Sequence, residues 1–384
     1  MESNKILRYS HLVGNKNSIV LLTGASGVGK TFLLSDTVAP DIYFDLEDFD
    51  TFRKLSFQEN FLELVIQDSF KKISIDNLHL LPSLFKTIQK ILHKQSVQFF
   101  ISSPSLHLIS KHIPEDIVPL VEIVSIAALS SREFKNFLTL DQVLRTGSLP
   151  AILNKTHQAT FLTELAGQVL FKTLYKNGKI KKPENFSKVM NELANNLDAE
   201  IKYEQVADKC HVPGRTVREY VNLLVDFEIG YTIDSVKLTK QSSLQKKFYF
   251  YDIGFANALR NNFELVTDRS VYVHLLEHFI FLELQLFKNQ VYPGLQINFW
   301  KDYQNNSISF ILNQKTAVFV IPAQQIHDFH FKNIVRLLKK AQLDEAIVVS
   351  FDISQPSVKH SAEFQIKHFQ FEQFLNLLWS KKIL

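Results

Sequence analysis

The octet Gly24-Ala25-Ser26-Gly27-Val28-Gly29-Lys30-Thr31 constrains this chain more than any other stretch. It fits the spacing G-x-x-x-x-G-K-[ST] at every fixed position. A glycine-rich turn before a core helix meets that spacing by chance, so the flanks decide. Ser18-Ile19-Val20-Leu21-Leu22 reads as a short buried strand, and Thr31-Phe32-Leu33-Leu34 opens a helical pattern. Between them, glycines let the backbone curl until successive N–H groups point at one anion. The helix that follows adds its positive dipole end to the same anion. In such a loop Lys30 would reach the β- and γ-phosphates of ATP, and the Thr31 hydroxyl would hold Mg²⁺.

Downstream, apolar strand-like runs recur with helical patterns between them: Ile42-Tyr43-Phe44-Asp45, Ile73-Ser74-Ile75-Asp76, Phe99-Phe100-Ile101-Ser102 and Val121-Glu122-Ile123-Val124. Strands alternating with helices predict an α/β domain with a parallel sheet covered on both faces. Ligands of such sheets bind at the carboxyl ends of the strands, where Asp76 and Ser102 fall. Asp76 is the expected Mg²⁺-side carboxylate, its alternative role being a cap for the segment after it. Ser102 would bond the γ-phosphate or the attacking water, or serve simply as a strand-end hydroxyl.

Composition narrows the setting. A single cysteine, Cys210, excludes an internal disulfide and any cysteine-only zinc site. The start Met1-Glu2-Ser3-Asn4-Lys5 lacks an apolar signal core, and no apolar run is long enough to span a bilayer. A cytoplasmic protein with no membrane partner is expected. The net charge of +4 neither requires nor opposes a nucleic-acid partner.

A second pattern lies in the middle of the chain. Helical spacing runs from about Thr156 to Leu197. Then Tyr203-Glu204-Gln205-Val206-Ala207-Asp208-Lys209-Cys210, the turn His211-Val212-Pro213-Gly214, and the amphipathic run from Arg215 to Leu224 spell helix, turn, helix. The strand-like runs Ile229-Gly230-Tyr231-Thr232-Ile233 and Phe248-Tyr249-Phe250-Tyr251-Asp252 follow, so the unit reads as a winged helix. Read as a DNA module, it puts Arg215, Thr216 and Arg218 at the start of a recognition helix. Lys237, Lys240, Lys246 and Lys247 would touch phosphates from the wing. Winged helices also dock proteins, and that alternative stays open.

The order of motifs resembles the bacterial and archaeal AAA-type ATPases that carry a C-terminal domain of unknown function. The phosphate loop, Ile75-Asp76-Asn77-Leu78-His79 and Ile101-Ser102-Ser103-Pro104-Ser105 carry the likeness through the first strands. Ala128-Leu129-Ser130-Ser131-Arg132-Glu133-Phe134, Gly147-Ser148-Leu149-Pro150 and Lys247-Phe248-Tyr249-Phe250-Tyr251-Asp252-Ile253-Gly254 extend it. The resemblance implies an AAA-type P-loop domain over residues 1–155, a helical linker and winged helix over 156–262, and a nuclease-like α/β domain of the PD-(D/E)XK kind over 263–384. It also implies a homo-oligomer, a ring, that acts on DNA.

The departures fall on chemistry. Asn77 stands where the family has a catalytic Glu, and an amide has no basic site to take a proton from water. Pro119-Leu120 replaces a Gly-Arg whose arginine would contact a neighbour's γ-phosphate. In the last domain Glu277 sits on the apolar helical run from His274 to Leu284. Serines 307 and 309 take the place of acids on one strand, and Ala317-Val318-Phe319-Val320 replaces a Glu-x-Lys on the next. The expectation is a protein that binds ATP, hydrolyses it slowly, and retains a nuclease fold without a nuclease site. The pairs His274/His278 and His327/His330 have metal-like spacing but no clear third ligand.

Overall fold

The apolar runs become strands because each is too short for a helix and rich in branched or aromatic side chains that fill a sheet covered on both faces. In the computed structural model, β1 (Ile19–Thr23), β2 (Ile42–Asp45), β3 (Lys72–Asp76), β4 (Gln98–Ser102) and β5 (Val121–Ser125) pair in the order β2-β3-β4-β1-β5. Every pairing is parallel, with Leu21 opposite Ile101 and Ile123, and Ile75 opposite Ile101. The description covers residues 18–57, 61–66, 69–175, 180–197, 199–240, 244–264, 266–352, 357–360 and 363–383. The expectation for Met1 to Lys5, and part of the helical run from Thr156 to Leu197, lie outside the described residues.

Two compact units emerge. One draws on Met1–Leu129, Ser148–Lys181 and Val221–Ile229, the other on Ser130–Gly147, Lys182–Tyr220 and Gly230–Leu384. The first is centred on the parallel sheet. Ile19, Leu21, Ile73, Ile75, Phe99 and Ile101 pack against Phe85, Ile88 and Ile91 of the helix Leu84–Lys94. Their alternation along β1, β3 and β4 follows from the period of two that turns every second side chain to one face.

In the second unit, Gly230–Asp234 (β6) and Lys246–Phe250 (β7) form an antiparallel pair. Helix Tyr203–Cys210 ends at His211, whose φ of 55° turns the chain, and Thr216 N–H donates to Pro213 O at 2.9 Å to start the helix Gly214–Asp226. The strand expected through Asp252 stops at Phe250. Asp252 instead caps the helix Ile253–Leu259, accepting from Phe255 N–H at 2.9 Å, which is a favoured use of aspartate.

A second sheet contains Ile297–Lys301 (β8), Ser307–Leu312 (β9), Thr316–Val320 (β10), Glu345–Ser350 (β11), Ser357–His360 (β12) and Gln365–Gln370 (β13), in the order β12-β13-β11-β10-β9-β8. The β10–β11 and β11–β13 pairings are parallel and the others antiparallel. Helix Asp328–Ala341 links β10 to β11 and packs Ile334, Leu337 and Leu338 on the sheet with Trp300, Ile308 and Val348. The 22-residue helix Arg269–Gln290 buries side chains around most of its girth, including Leu276, Ile280, Phe281 and Leu284.

Candidate nucleotide site and the motifs around it

The chain leaves β1 through a loop that only small residues permit. Gly24 has φ of 140°, and a Cβ there would stand 2.1 Å from Ile126 O. Gly27 and Gly29 also have positive φ, at 87° and 94°. Lys30 opens the helical segment, is buried, and folds back over the loop, donating from Nζ to Gly24 O at 2.7 Å and Ala25 O at 3.0 Å. Burial pulls its ammonium down to about 8, against the opposing pull of Asp76, Glu228 and Glu47.

Asp76 ends β3 fully enclosed and its carboxylate is shared among neighbours. Oδ2 accepts from Tyr43 Oη at 3.0 Å, and Oδ1 accepts from Ser102 Oγ and from Asn77 N–H at 3.1 Å. Ser102 therefore points its proton at Asp76, and its oxygen accepts from Asn77 N–H at 2.9 Å. Asn77 occupies the left-handed region at φ of 60°, where asparagine is tolerated. Its amide donates to Asp45 Oδ1 at 3.4 Å. Lys30, Asp76, Asn77 and Ser102 are thus gathered at one edge of the sheet, with Thr31 exposed beside Lys30.

Two features suit this edge to a polyphosphate. The glycine curve leaves no room for a Cβ at Gly24, and the enclosed Nδ1 of half-buried His79 has no hydrogen-bond partner among the described residues. Burial, and then the nearby Lys30 ammonium, hold that imidazole down to about 4, so it is neutral near pH 7. The loop is roofed from within the same unit, with Pro150 facing Gly29 and with Leu149 and Leu165 facing Gly27. The residues of this edge fit the phosphate chain of a nucleotide.

Glu228 carried no signal in the sequence. It follows helix Gly214–Asp226 with φ of 57°, and its carboxylate accepts from Ser125 Oγ at 3.3 Å, from Leu106 N–H at 3.4 Å and from the Thr23 hydroxyl.

The other motif residues do structural work in the second unit. Ser130 and Glu133 form a reciprocal capping box, with Ser130 N–H donating to Glu133 at 2.8 Å. Ser131 donates to Glu283 through both N–H and Oγ at 2.7 Å, while Arg132 lies 3.9 Å over the Trp379 ring. Gly147 and Gly254 let two segments touch: a Cβ would lie 2.2 Å from Asp252 at the first and 2.1 Å from Thr146 O at the second.

The candidate DNA residues are ion-paired. Arg215 meets Glu219 at 2.9 Å, Arg218 meets Glu204 at 3.2 Å and stacks on Tyr203, and Lys246 meets Asp234 at 3.1 Å. Thr216 begins the same helix turn as Arg215. Lys247 is buried, with its ammonium 3.6 Å from Glu277, whose other oxygen accepts from Ser309 Oγ. Among the described residues no group of three or more His, Cys, Asp and Glu is placed to hold a metal ion, and no helix is long and apolar enough to cross a membrane.

The first unit thus has the fold and loop of a P-loop nucleotide-binding protein. Residues 16–135 match the family described as AAA domain, so this P-loop domain is AAA-type. Residues 138–265 match a family described as Domain of unknown function (DUF8612). No curated protein matches the chain. Among solved structures, it is similar to the Aeropyrum pernix ORC1 protein in complex with DNA, at 12% identity and a TM-score of 0.25, over 64% of this chain and 86% of that one. It is also similar to domain III of the Thermotoga maritima replication initiation protein DnaA, at 14% identity and a TM-score of 0.21, over 54% of this chain and 84% of that one.

Proposed function

We propose that this chain is an ATP-binding AAA-type protein with impaired hydrolysis, which assembles as a homo-oligomeric ring and acts on DNA. The single observation that carries the reading is the contrast at one sheet edge. The loop from Gly24 to Thr31 and the carboxylate of Asp76 are in place, while Asn77 offers only an amide beside them. Mg²⁺, when held by Thr31 and Asp76, would neutralise phosphate charge. Lys30 would exchange the loop carbonyls for phosphate oxygens. Ser102 and Tyr43 would position Asp76 through their hydroxyls. Asn77 would orient a water without accepting its proton, so turnover would be slow.

DNA would meet the start of the helix Gly214–Asp226 in a winged helix that β6 and β7 complete, and the sheet β8–β13 would be a nuclease-like fold without its metal site. A second reading has its own support: Arg215, Arg218 and Lys246 already have carboxylate partners, which suits a protein-docking module using ATP as a structural switch.

The test is titration of a fluorescent ATP analogue into wild type and Lys30→Ala, with phosphate release measured on the same samples. Lys30-dependent binding with slow release is expected. Equal binding by the two proteins refutes the nucleotide site, and rapid release refutes the impairment.

A further inference from the structure

Three carboxylates act on the Lys30 ammonium. Asp76 is the strongest, followed by Glu228 and Glu47. Asp76 has a place in the nucleotide site already described; Glu228 has none. Yet it is held by donors from three adjacent parts of the same sheet edge: the Thr23 hydroxyl at the end of β1, Ser125 Oγ at the end of β5, and Leu106 N–H in the turn after β4. Its neighbours fix it there. Phe227 packs on His107 with ring centroids 5.8 Å apart, and Asp226 lies 3.8 Å from the same imidazole. A carboxylate with three donors does not swing freely; burial pushes this carboxyl above the ordinary carboxylate range, while the three donors and the Lys30 ammonium favour its charged form at the edge where the loop gathers phosphate.

We propose that Glu228 is a specificity-determining residue of the nucleotide site, a fixed negative charge that disfavours a nucleoside triphosphate relative to the diphosphate. This rests on the reading of Gly24 to Thr31 as a nucleotide site. The two ligands differ by one phosphate at the end of the chain that Lys30 reaches. A like charge nearby opposes that added phosphate more than it opposes the diphosphate. With an effective dielectric of about 20, one unit charge about 12 Å away changes affinity on the order of tenfold, and a nearer one changes it more.

The experiment measures equilibrium affinity for ATP and ADP by competition against a fluorescent analogue, in wild type, Lys30→Ala, Glu228→Gln and Glu228→Asp. Glu228→Gln keeps the size and one acceptor oxygen and removes the charge. It should bind ATP on the order of tenfold more tightly, with ADP improved less. Glu228→Asp, which keeps the charge, should retain the wild-type ratio of the two affinities. Unchanged affinities in Glu228→Gln, or weaker ATP binding, would overturn the assignment. So would intact affinity with phosphate release abolished, because Glu228 would then be acting as a base. Binding indifferent to Lys30→Ala would instead overturn the nucleotide site itself, and the role of Glu228 with it.

Discussion

Replacing Glu283 with Gln should remove the pH dependence that this buried acid gives the second unit. Glu283 is 1% exposed, and it accepts from Ser131 N–H, Ser131 Oγ and Trp379 Nε1 at 2.7 Å each. Burial outweighs those three donors and pushes the carboxyl up to about 7 from 4.5, with the Glu133 charge adding to the rise. The folded state therefore holds a proton that the unfolded state has released between roughly pH 4.5 and 7. Stability from this group is present at low pH and is lost as pH rises through about 7. At about 1.36 kcal/mol per pH unit, the span corresponds to roughly 3 kcal/mol, most of it between pH 5 and 8. In Glu283→Gln the amide takes the place of the protonated oxygen, but its N–H₂ faces the Trp379 N–H, at a cost of about 1 kcal/mol. The variant should thus be less stable than wild type at pH 5 and more stable at pH 8. Urea unfolding followed by tryptophan fluorescence reads this unit alone, because Trp300 and Trp379 are the chain's two tryptophans and both lie in it. His278, held down to about 4 by burial, acts in the opposite sense below pH 6.5 and cancels in the difference between the two proteins. A difference that stays constant from pH 5 to 8 would refute the reasoning.

Gly147→Ala should destabilise the same unit by about 3 kcal/mol or more, since φ of 73° with ψ of −168° is nearly confined to glycine and the new Cβ meets Asp252 at 2.2 Å. A urea midpoint equal to wild type would contradict it. Asn77→Glu alone should raise phosphate release little, because the new carboxylate faces Asp45, whose oxygen lies 3.4 Å from the present amide. Asn77→Glu combined with Asp45→Asn should raise it on the order of a hundredfold, the usual scale of a general base; equal rates in the single and double variants would tell against the Asp45 argument. Glu219→Gln should free Arg215 and tighten duplex DNA binding, with a steeper loss on adding salt. Unchanged affinity and salt slope would favour protein docking.

The parallel sheet was legible because its strands are short apolar runs closed by polar residues, and Ile42–Asp45 has the limits the pattern predicted. Local chemistry also made the helix, turn and helix from Tyr203 to Asp226 readable, through one glycine, one proline and a clean apolar spine. Asp252 was misread as strand because its neighbours are aromatic, and the capping bond that claims it forms only once the next helix exists. The long helix Arg269–Gln290 drew attention to Glu277, yet Glu283 is the acid that burial perturbs, and its partners Ser131 and Trp379 are far away in sequence. Glu228 had no local signal at all. Its place depends on where a helix end meets β1, β4 and β5, which no periodicity encodes.

The motif residues divide by what they touch. Ser130, Glu133, Gly147, Asp252 and Gly254 are spent on caps and close backbone approaches, so each contributes whether or not nucleotide is present. Lys30 and Asp76 are different. Lys30 turns its ammonium onto the carbonyls of its own loop, and Asp76 already accepts from Ser102, Tyr43 and the Asn77 N–H. A nucleotide arriving with its cation must therefore compete with bonds already made, which lowers net affinity by their worth and couples occupancy to the tips of β2, β3 and β4. Asn77 sits within that network, bonded through its backbone to Asp76 and Ser102 and through its side chain to Asp45. On the proposed reading, an asparagine there would trade the proton acceptor that hydrolysis needs for a donor that ties two strand ends together. On that reading, the exchange would favour a site that responds to holding nucleotide over one built to turn it over.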